Sequence, residues 1–158
     1  MAMYRNLALF LLGASVALCN LNGGAFGDKY DWVEWSQAKT LAATQGKPIM
    51  VLFHKTWCGA CKRLAPLFSD NQELLKLSSK FVMVNAEDDE EPASDTSFSI
   101  DGGYIPRIVF VDQAGIIHPE FSNLARGEKY RYFYPSPNEI VNIMNHVLKN
   151  LDSDKMEL

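Results

Sequence analysis

Ile49-Met50-Val51-Leu52-Phe53, followed four residues later by Trp57-Cys58-Gly59-Ala60-Cys61-Lys62, decides how the chain is read. The first run is continuous and apolar, as in a strand buried on both faces. After the second, Leu64, Leu67 and Phe68 fall on one side at helical spacing. A Cys-x-x-Cys between a buried strand and a helix start reads as a redox dithiol. Residues three apart on a helix lie roughly 5–6 Å apart, and a disulfide needs Cα atoms about 4.4–6.8 Å apart. The pair can therefore open and close with little backbone movement. Free N–H groups and the positive dipole end stabilise an anion at the helix start. Cys58 falls there as the exposed, low-pKa nucleophile, and Cys61 one turn inside as the buried resolving thiol. Lys55 and Lys62 add positive potential if they point at the sulfur. Inert buried thiols and half of a zinc site are the alternatives. Structural zinc usually takes four ligands; there is no second cysteine pair, and His54, His118 and His146 lack ligand-like spacing, so no metal is expected.

At 158 residues, 47% hydrophobic and 22% charged, the chain suits one domain with a substantial core. A net charge of −4 without a long basic cluster gives no sign of a nucleic-acid partner. Residues 1–25 read as a signal peptide, with Arg5 in a short positive region, an apolar run from Leu7 to Leu18, and cleavage after Cys19 or Ala25. A spanning helix needs about 20 apolar residues, so no membrane span is expected after cleavage. Cys19 leaves under either cut, and an isolated pair in an oxidising compartment is more often catalytic than a framework. No Asn-x-Ser/Thr acceptor is present. The tail 152–158 ends in Lys155-Met156-Glu157-Leu158, which resembles the Lys-Asp-Glu-Leu retrieval signal. Together, the two ends predict the endoplasmic reticulum lumen and a retrieval receptor as one partner.

The domain between, 26–151, reads as alternating strands and helices. Asn20 to Lys29 is Gly-rich and expected to be loose, and Tyr30–Trp35 a short strand. Ser36 is the expected N-cap of a helix ending at Gly46. Pro66 predicts a kink in the redox helix. A helix from about Asn71 to Ser79 anchors through Leu74, Leu75 and Leu77, and Phe81–Val84 is the next buried strand. Glu87 to Pro92 reads as a solvated acidic loop, with a partner-binding edge or a weak Ca²⁺ site as functional alternatives; it lacks EF-hand spacing. Ile108–Val111 is a third buried strand. Gly115–Phe121 reads as an edge strand, and Arg126–Tyr134 as another edge strand or an extended segment. Ser136-Pro137-Asn138-Glu139 is a capping box opening the last helix, whose apolar stripe is Ile140, Met144, Val147, Leu148 and Leu151. The pattern predicts an α/β fold with a central mixed sheet flanked by helices.

Trp57 to Lys62 and Asp101-Gly102-Gly103-Tyr104-Ile105-Pro106-Arg107 together resemble the thioredoxin superfamily, and within it the small endoplasmic-reticulum oxidoreductases related to the anterior-gradient proteins. The resemblance spans about Asp28 to Leu151. It implies a thioredoxin fold and thiol–disulfide oxidoreductase activity, with Cys58 attacking, Cys61 resolving and a cis Pro106 facing them. Ile105 then offers its backbone to an extended client segment, beside Trp57, Gly59 and Ala60. Secretory proteins, held through mixed disulfides, are the implied partners. Glutathione is the implied redox co-substrate, with no bound cofactor. Thioredoxin and the disulfide isomerases carry a buried acid where this chain has Leu52, which predicts slower resolution of mixed disulfides unless His54, Glu87 or a water takes that role. Ala60 stands where the isomerases carry histidine, so the expected potential lies between roughly −270 and −180 mV. The competing reading is a non-catalytic, chaperone-like client-binding module of the secretory pathway.

Overall fold

The structure, a computed structural model, describes residues 23–154, with side chains to Leu151. Residues 1–22, most of the expected signal peptide, and the tetrapeptide Lys155–Leu158 lie outside the described residues. Strand β1 is Ile49–His54, and all six of its residues are buried. It lies between parallel β2, Val82–Glu87, and antiparallel β3, Arg107–Val111. The register pairs Ile49 with Val82 and Val111, and Phe53 with Ala86 and Arg107. The mixed three-stranded sheet therefore carries apolar side chains on both faces, as continuous rather than alternating hydrophobic runs demand.

Helices cover both faces. Residues Met50, Leu52, Met83 and Phe110 pack with α2, Gly59–Ser69, α3, Gln72–Ser78, and α4, Pro137–Asp154. Val51, Phe53, Val84 and Val109 pack with Ala38 and Ala42 of α1, Trp35–Gln45. Local chemistry sets most helix ends. Gly46 takes the left-handed C-cap conformation (φ 63°). Asn71 accepts the Leu74 N–H at 2.8 Å, and Ser136 Oγ accepts the Glu139 N–H at 3.5 Å while donating to the Glu139 carboxylate at 3.2 Å, a variant of the expected capping box. Pro66 lies inside α2.

Several expectations need correction. Helix α1 starts at Trp35 after Glu34, with Ser36 inside it; Trp35 packs edge-on against Phe98 at 5.4 Å, and this tertiary contact overrides the better capping side chain. Tyr30–Trp35 contributes only a bridge from Trp32 to Met83. From Gly23 onward, the Gly-rich segment is not loose. Gly24–Phe26 forms a 3₁₀ turn, and Phe26, Tyr30 and Trp32 are fully buried around Phe68. Tyr30 donates its hydroxyl to the Phe68 carbonyl at 2.7 Å. Leu67 is 55% exposed rather than an anchor.

Neither edge strand forms. The Asp112 carboxylate accepts the N–H groups of Ala114 and Ile116, turning the chain back so that only Ile117 bridges Val111. Pro119, which lacks an N–H, cannot extend that pairing. Residues 126–134 hold a 3₁₀ end and turns, with Tyr130 at φ 61°. Tyr132 and Tyr134 turn inward, and the one backbone link to β3 is Ile108 N–H to the Tyr132 carbonyl at 2.9 Å.

Candidate active site

Cys58 is the N-cap of α2. Its backbone is extended, and its Sγ accepts the Cys61 N–H at 3.1 Å. This places the sulfur on one of the orphan amides of the helix start, where negative charge is favoured. Cys58 and Cys61 form a disulfide, with Cα atoms 5.3 Å apart. The expectation of an exposed Cys58 needs correction: in the closed pair Cys58 is 5% exposed and Cys61 2%. The closed Cys58 sulfur is turned onto the helix start, and the Ile105 carbonyl oxygen lies 3.9 Å from it. Trp57 is 73% exposed and so packs into no core. Gly59 is exposed and Ala60 half-buried on the same rim.

The facing loop ends in a cis Ile105–Pro106 peptide bond, with Ile105 half-buried and Pro106 buried. Glu91–Pro92 is cis as well, which the sequence reading did not anticipate. Lys55 does not serve the sulfur. Its Nζ donates to the Asp88 carbonyl and, at 2.7 Å, to the Asp89 carboxylate. Asp88 in turn accepts the Thr56 N–H at 2.9 Å and the Thr56 hydroxyl at 3.0 Å. The Thr56 backbone hydrogen bond leads the causes that hold the Asp88 carboxyl below its ordinary pKa. The acidic loop is therefore a brace on the turn that delivers Cys58. Among the described residues, no group of three or more His, Cys, Asp or Glu side chains could hold a metal ion.

Beneath the pair, Leu52 is fully buried. Strand alternation puts His54 on the same face as Leu52 and Met50. His54 is 2% exposed, with its ring 4.7 Å from that of Phe26. Asn85 donates its amide to the Gly23 carbonyl, which fixes the amide orientation and leaves Oδ1 to accept from His54 Nε2 at 2.6 Å. His54 Nδ1 lies 3.8 Å from the Glu87 carboxylate. Burial pulls the His54 pKa below its ordinary value, only partly opposed by the Asn85 hydrogen bond and the charges of Glu87, Asp88 and Glu90. A neutral, hydrogen-bonded imidazole thus lies on the same strand face as Leu52, where the sequence offered His54 as a proton carrier.

Three side chains that the sequence reading did not single out hold the Ile105 loop. Arg107, 4% exposed, donates through Nη1 to the carbonyls of Gly102 and Tyr104, both at 3.2 Å, and through Nη2 to Ser99 Oγ at 3.4 Å. Its guanidinium lies over the Phe53 ring at 4.7 Å. Tyr104 donates its hydroxyl to Asp101 Oδ2 and accepts the Tyr132 N–H, both at 2.9 Å. Asp101 Oδ2 also accepts the Arg131 N–H at 2.8 Å. A cavity of about 300 Å³ opens beside this loop, lined by Phe53, Lys55, Asp88, Ser99, Ile105 and Arg107.

A family model described as thioredoxin-like matches residues 31–113, just over half of the chain, including the dithiol and Pro106. The chain belongs to the thioredoxin-like family. Among similar proteins, anterior gradient protein 2 of Xenopus tropicalis is 29% identical over 153 residues, covering 96% of this chain and 89% of that protein. The anterior gradient protein 2 homolog of Homo sapiens is 28% identical over 134 residues, covering 84% and 73%. A solved disulphide isomerase from Xylella fastidiosa Temecula1 superposes with a TM-score of 0.50 at 20% identity, covering 72% of this chain and 87% of that one, a likeness of fold. With its Cys58–Cys61 disulfide at a helix start, this thioredoxin-like chain is a thiol–disulfide oxidoreductase-type protein.

Proposed function

We propose that the protein is a glutathione-coupled protein-disulfide reductase of the endoplasmic reticulum lumen, working through Cys58 and Cys61. The observation that carries this reading is the Cys58–Cys61 disulfide facing the Ile105 carbonyl across 3.9 Å. An extended client pairs with the Ile105 backbone by strand addition, which brings its disulfide to Cys58. The Cys58 thiolate attacks one client sulfur, and the other leaves as a thiolate and takes up a proton. Cys61, once deprotonated, attacks the Cys58 sulfur, frees the client's second thiol and closes the Cys58–Cys61 disulfide. The client gains the two electrons that the dithiol loses. Two glutathione thiols then reopen the pair and leave as glutathione disulfide. Exposed Trp57 adds an apolar contact for the client, and the cavity beside Ile105 has room for a neighbouring client side chain.

The leader and the Lys155-Met156-Glu157-Leu158 tail support the compartment and the retrieval receptor as a partner. Of the two cuts, cleavage after Cys19 preserves the packed Gly23–Phe26 turn. Gly23 donates to Asp28 and accepts from Asn85, and a Cβ there would run into the Gly27 carbonyl and the Trp32 indole nitrogen. The mature protein should therefore begin at Asn20 by N-terminal sequencing, and a start at Phe26 would refute that choice.

Cys61→Ser expressed in the lumen tests the main reading. It should accumulate disulfide-linked complexes with secretory proteins, which vanish on reduction and are absent with Cys58→Ser/Cys61→Ser. Wild type should reduce a peptide disulfide at the expense of glutathione, read as NADPH consumption through glutathione reductase. Absence of both trapping and turnover refutes the reading and leaves a client-binding module.

A further inference from the structure

We propose that Arg107 is the positioning residue for client binding: it straps the Gly102–Pro106 loop so that the Ile105 backbone stands at the right distance from Cys58 to receive a client strand. This rests on the reading of the protein as a disulfide reductase. Several observations point the same way. The guanidinium is 4% exposed, yet no carboxylate lies within 4.0 Å of it among the described residues. A buried cation placed for stability alone is normally paired with an acid. Arg107 instead spends both terminal nitrogens on the loop, leaving its buried Nε without a partner: both carbonyls it reaches, Gly102 and Tyr104, precede Ile105, and Ser99 begins the same excursion. The planar fork suits this task, since one nitrogen can hold two acceptors while the face stays free to stack. That face lies on Phe53, the β1 residue paired directly with Arg107 in the sheet. The strap therefore ties the loop to the central strand rather than to another loop.

A second tie comes from the opposite side. Tyr104, next to Ile105, bonds both Asp101 and the Tyr132 N–H. The Tyr104 peptide unit is thus gripped by its carbonyl from the sheet and by its side chain from the 130–132 turn. Ile105 is left as the segment between these grips and the buried Pro106, with its carbonyl turned to the dithiol. A docking edge needs that fixity, because strand addition succeeds only when both backbone hydrogen-bonding groups are already in line.

The test compares two substrates in the full mature protein: a peptide disulfide, which uses the docking edge, and a small aromatic disulfide with no backbone to dock. Arg107→Met should lower kcat/KM for the peptide about tenfold, mainly through KM, while the rate with the small disulfide falls less than threefold. Arg107→Lys keeps the charge and one donor group but loses the fork and the stack. It should show the same split at about threefold in KM. If Arg107→Met does not fold, the Lys variant decides. Equal falls with both substrates, or no change with either, would overturn the assignment and leave Arg107 a stability element. Wild type inactive on both substrates would instead refute the reductase reading itself.

Discussion

Cys58 and Ile105 face each other across 3.9 Å, yet they are held by different means. Cys58 is placed by the helix it caps: its sulfur takes the amide of Cys61, three residues on, and α2 is anchored by Leu64, Ala65 and Phe68. Ile105 sits in a loop without regular structure, held by side chains that reach across the chain. Asp101 and Tyr104 take backbone N–H groups 30 and 28 residues away. One half of the site is therefore built by local chemistry and core packing, the other by a polar network. The first should resist single polar changes, and the second should be sensitive to them while the core stands.

Phe68→Ala tests the packed half and should have the largest effect. The ring is fully buried against Phe26, Tyr30 and Trp32. Its loss should cost about 3–5 kcal/mol of unfolding free energy, read from a urea titration. The N-cap of α2 is untouched, so protein that remains folded should keep its thiol–disulfide equilibrium with glutathione within about twofold. A large shift in that equilibrium would show that core packing, and not the cap, places Cys58.

Tyr104→Phe probes the networked half. Burial is the main cause holding the Tyr104 hydroxyl above its ordinary pKa, so it works as a neutral phenol, donor to Asp101 and acceptor from Tyr132. Removing it leaves the Tyr132 N–H and one Asp101 lone pair without their partner, beside an Asp101 Oδ1 that already has none. The expected cost is about 1–3 kcal/mol, with weaker binding of a peptide disulfide and an unchanged Cys58–Cys61 equilibrium. Unaltered peptide binding would mean that Arg107 alone fixes the loop.

The same division explains what could be read from the sequence. The three buried strands, the Gly46 stop and the Ser136 start of the last helix depend on neighbours within a few residues, and each was legible. The alternating Tyr130–Tyr134 run was not. Inward Tyr132 and Tyr134 alternating with Arg131 and Phe133 satisfy a strand pattern and a turn equally well, and here Tyr130 at positive φ selects the turn. Asp112 folds its own loop through two side-chain hydrogen bonds, where composition suggested an edge strand. Arg107, Asp101 and Tyr104 stood inside a quoted motif, but nothing local signals that their partners lie on Tyr132, Arg131 and Phe53. Pro106 entered as cis only through the family resemblance.

Two histidines carry the comparison to its smallest effect, because they respond to pH with opposite sign. His54, beneath the site, is kept neutral by burial, so its folded pKa lies below the ordinary value of about 6.5. As pH falls below that value, the unfolded chain takes up a proton that the folded chain refuses, and stability declines. His118 lies in the polar turn after β3. Burial alone would lower its pKa, but hydrogen bonds to Glu120 at 2.7 Å and Asp112 at 3.1 Å raise it. Its contribution is therefore full below about pH 6.5 and is lost as pH rises through the folded value. Both carboxyls are held below their ordinary pKa, so they stay ionised at pH 5.5. His118→Gln removes the cation and leaves His54 unopposed. The variant should lose more stability at pH 5.5 than at pH 8, by a few tenths to about 1 kcal/mol, since Glu120 is largely exposed and its pairing is screened. Urea midpoints at the two pH values read this directly. A deficit equal at both would mean that His118 acts as a neutral hydrogen-bonding ring, and that the turn after β3 is held, like the Ile105 loop, without any help from charge on a histidine.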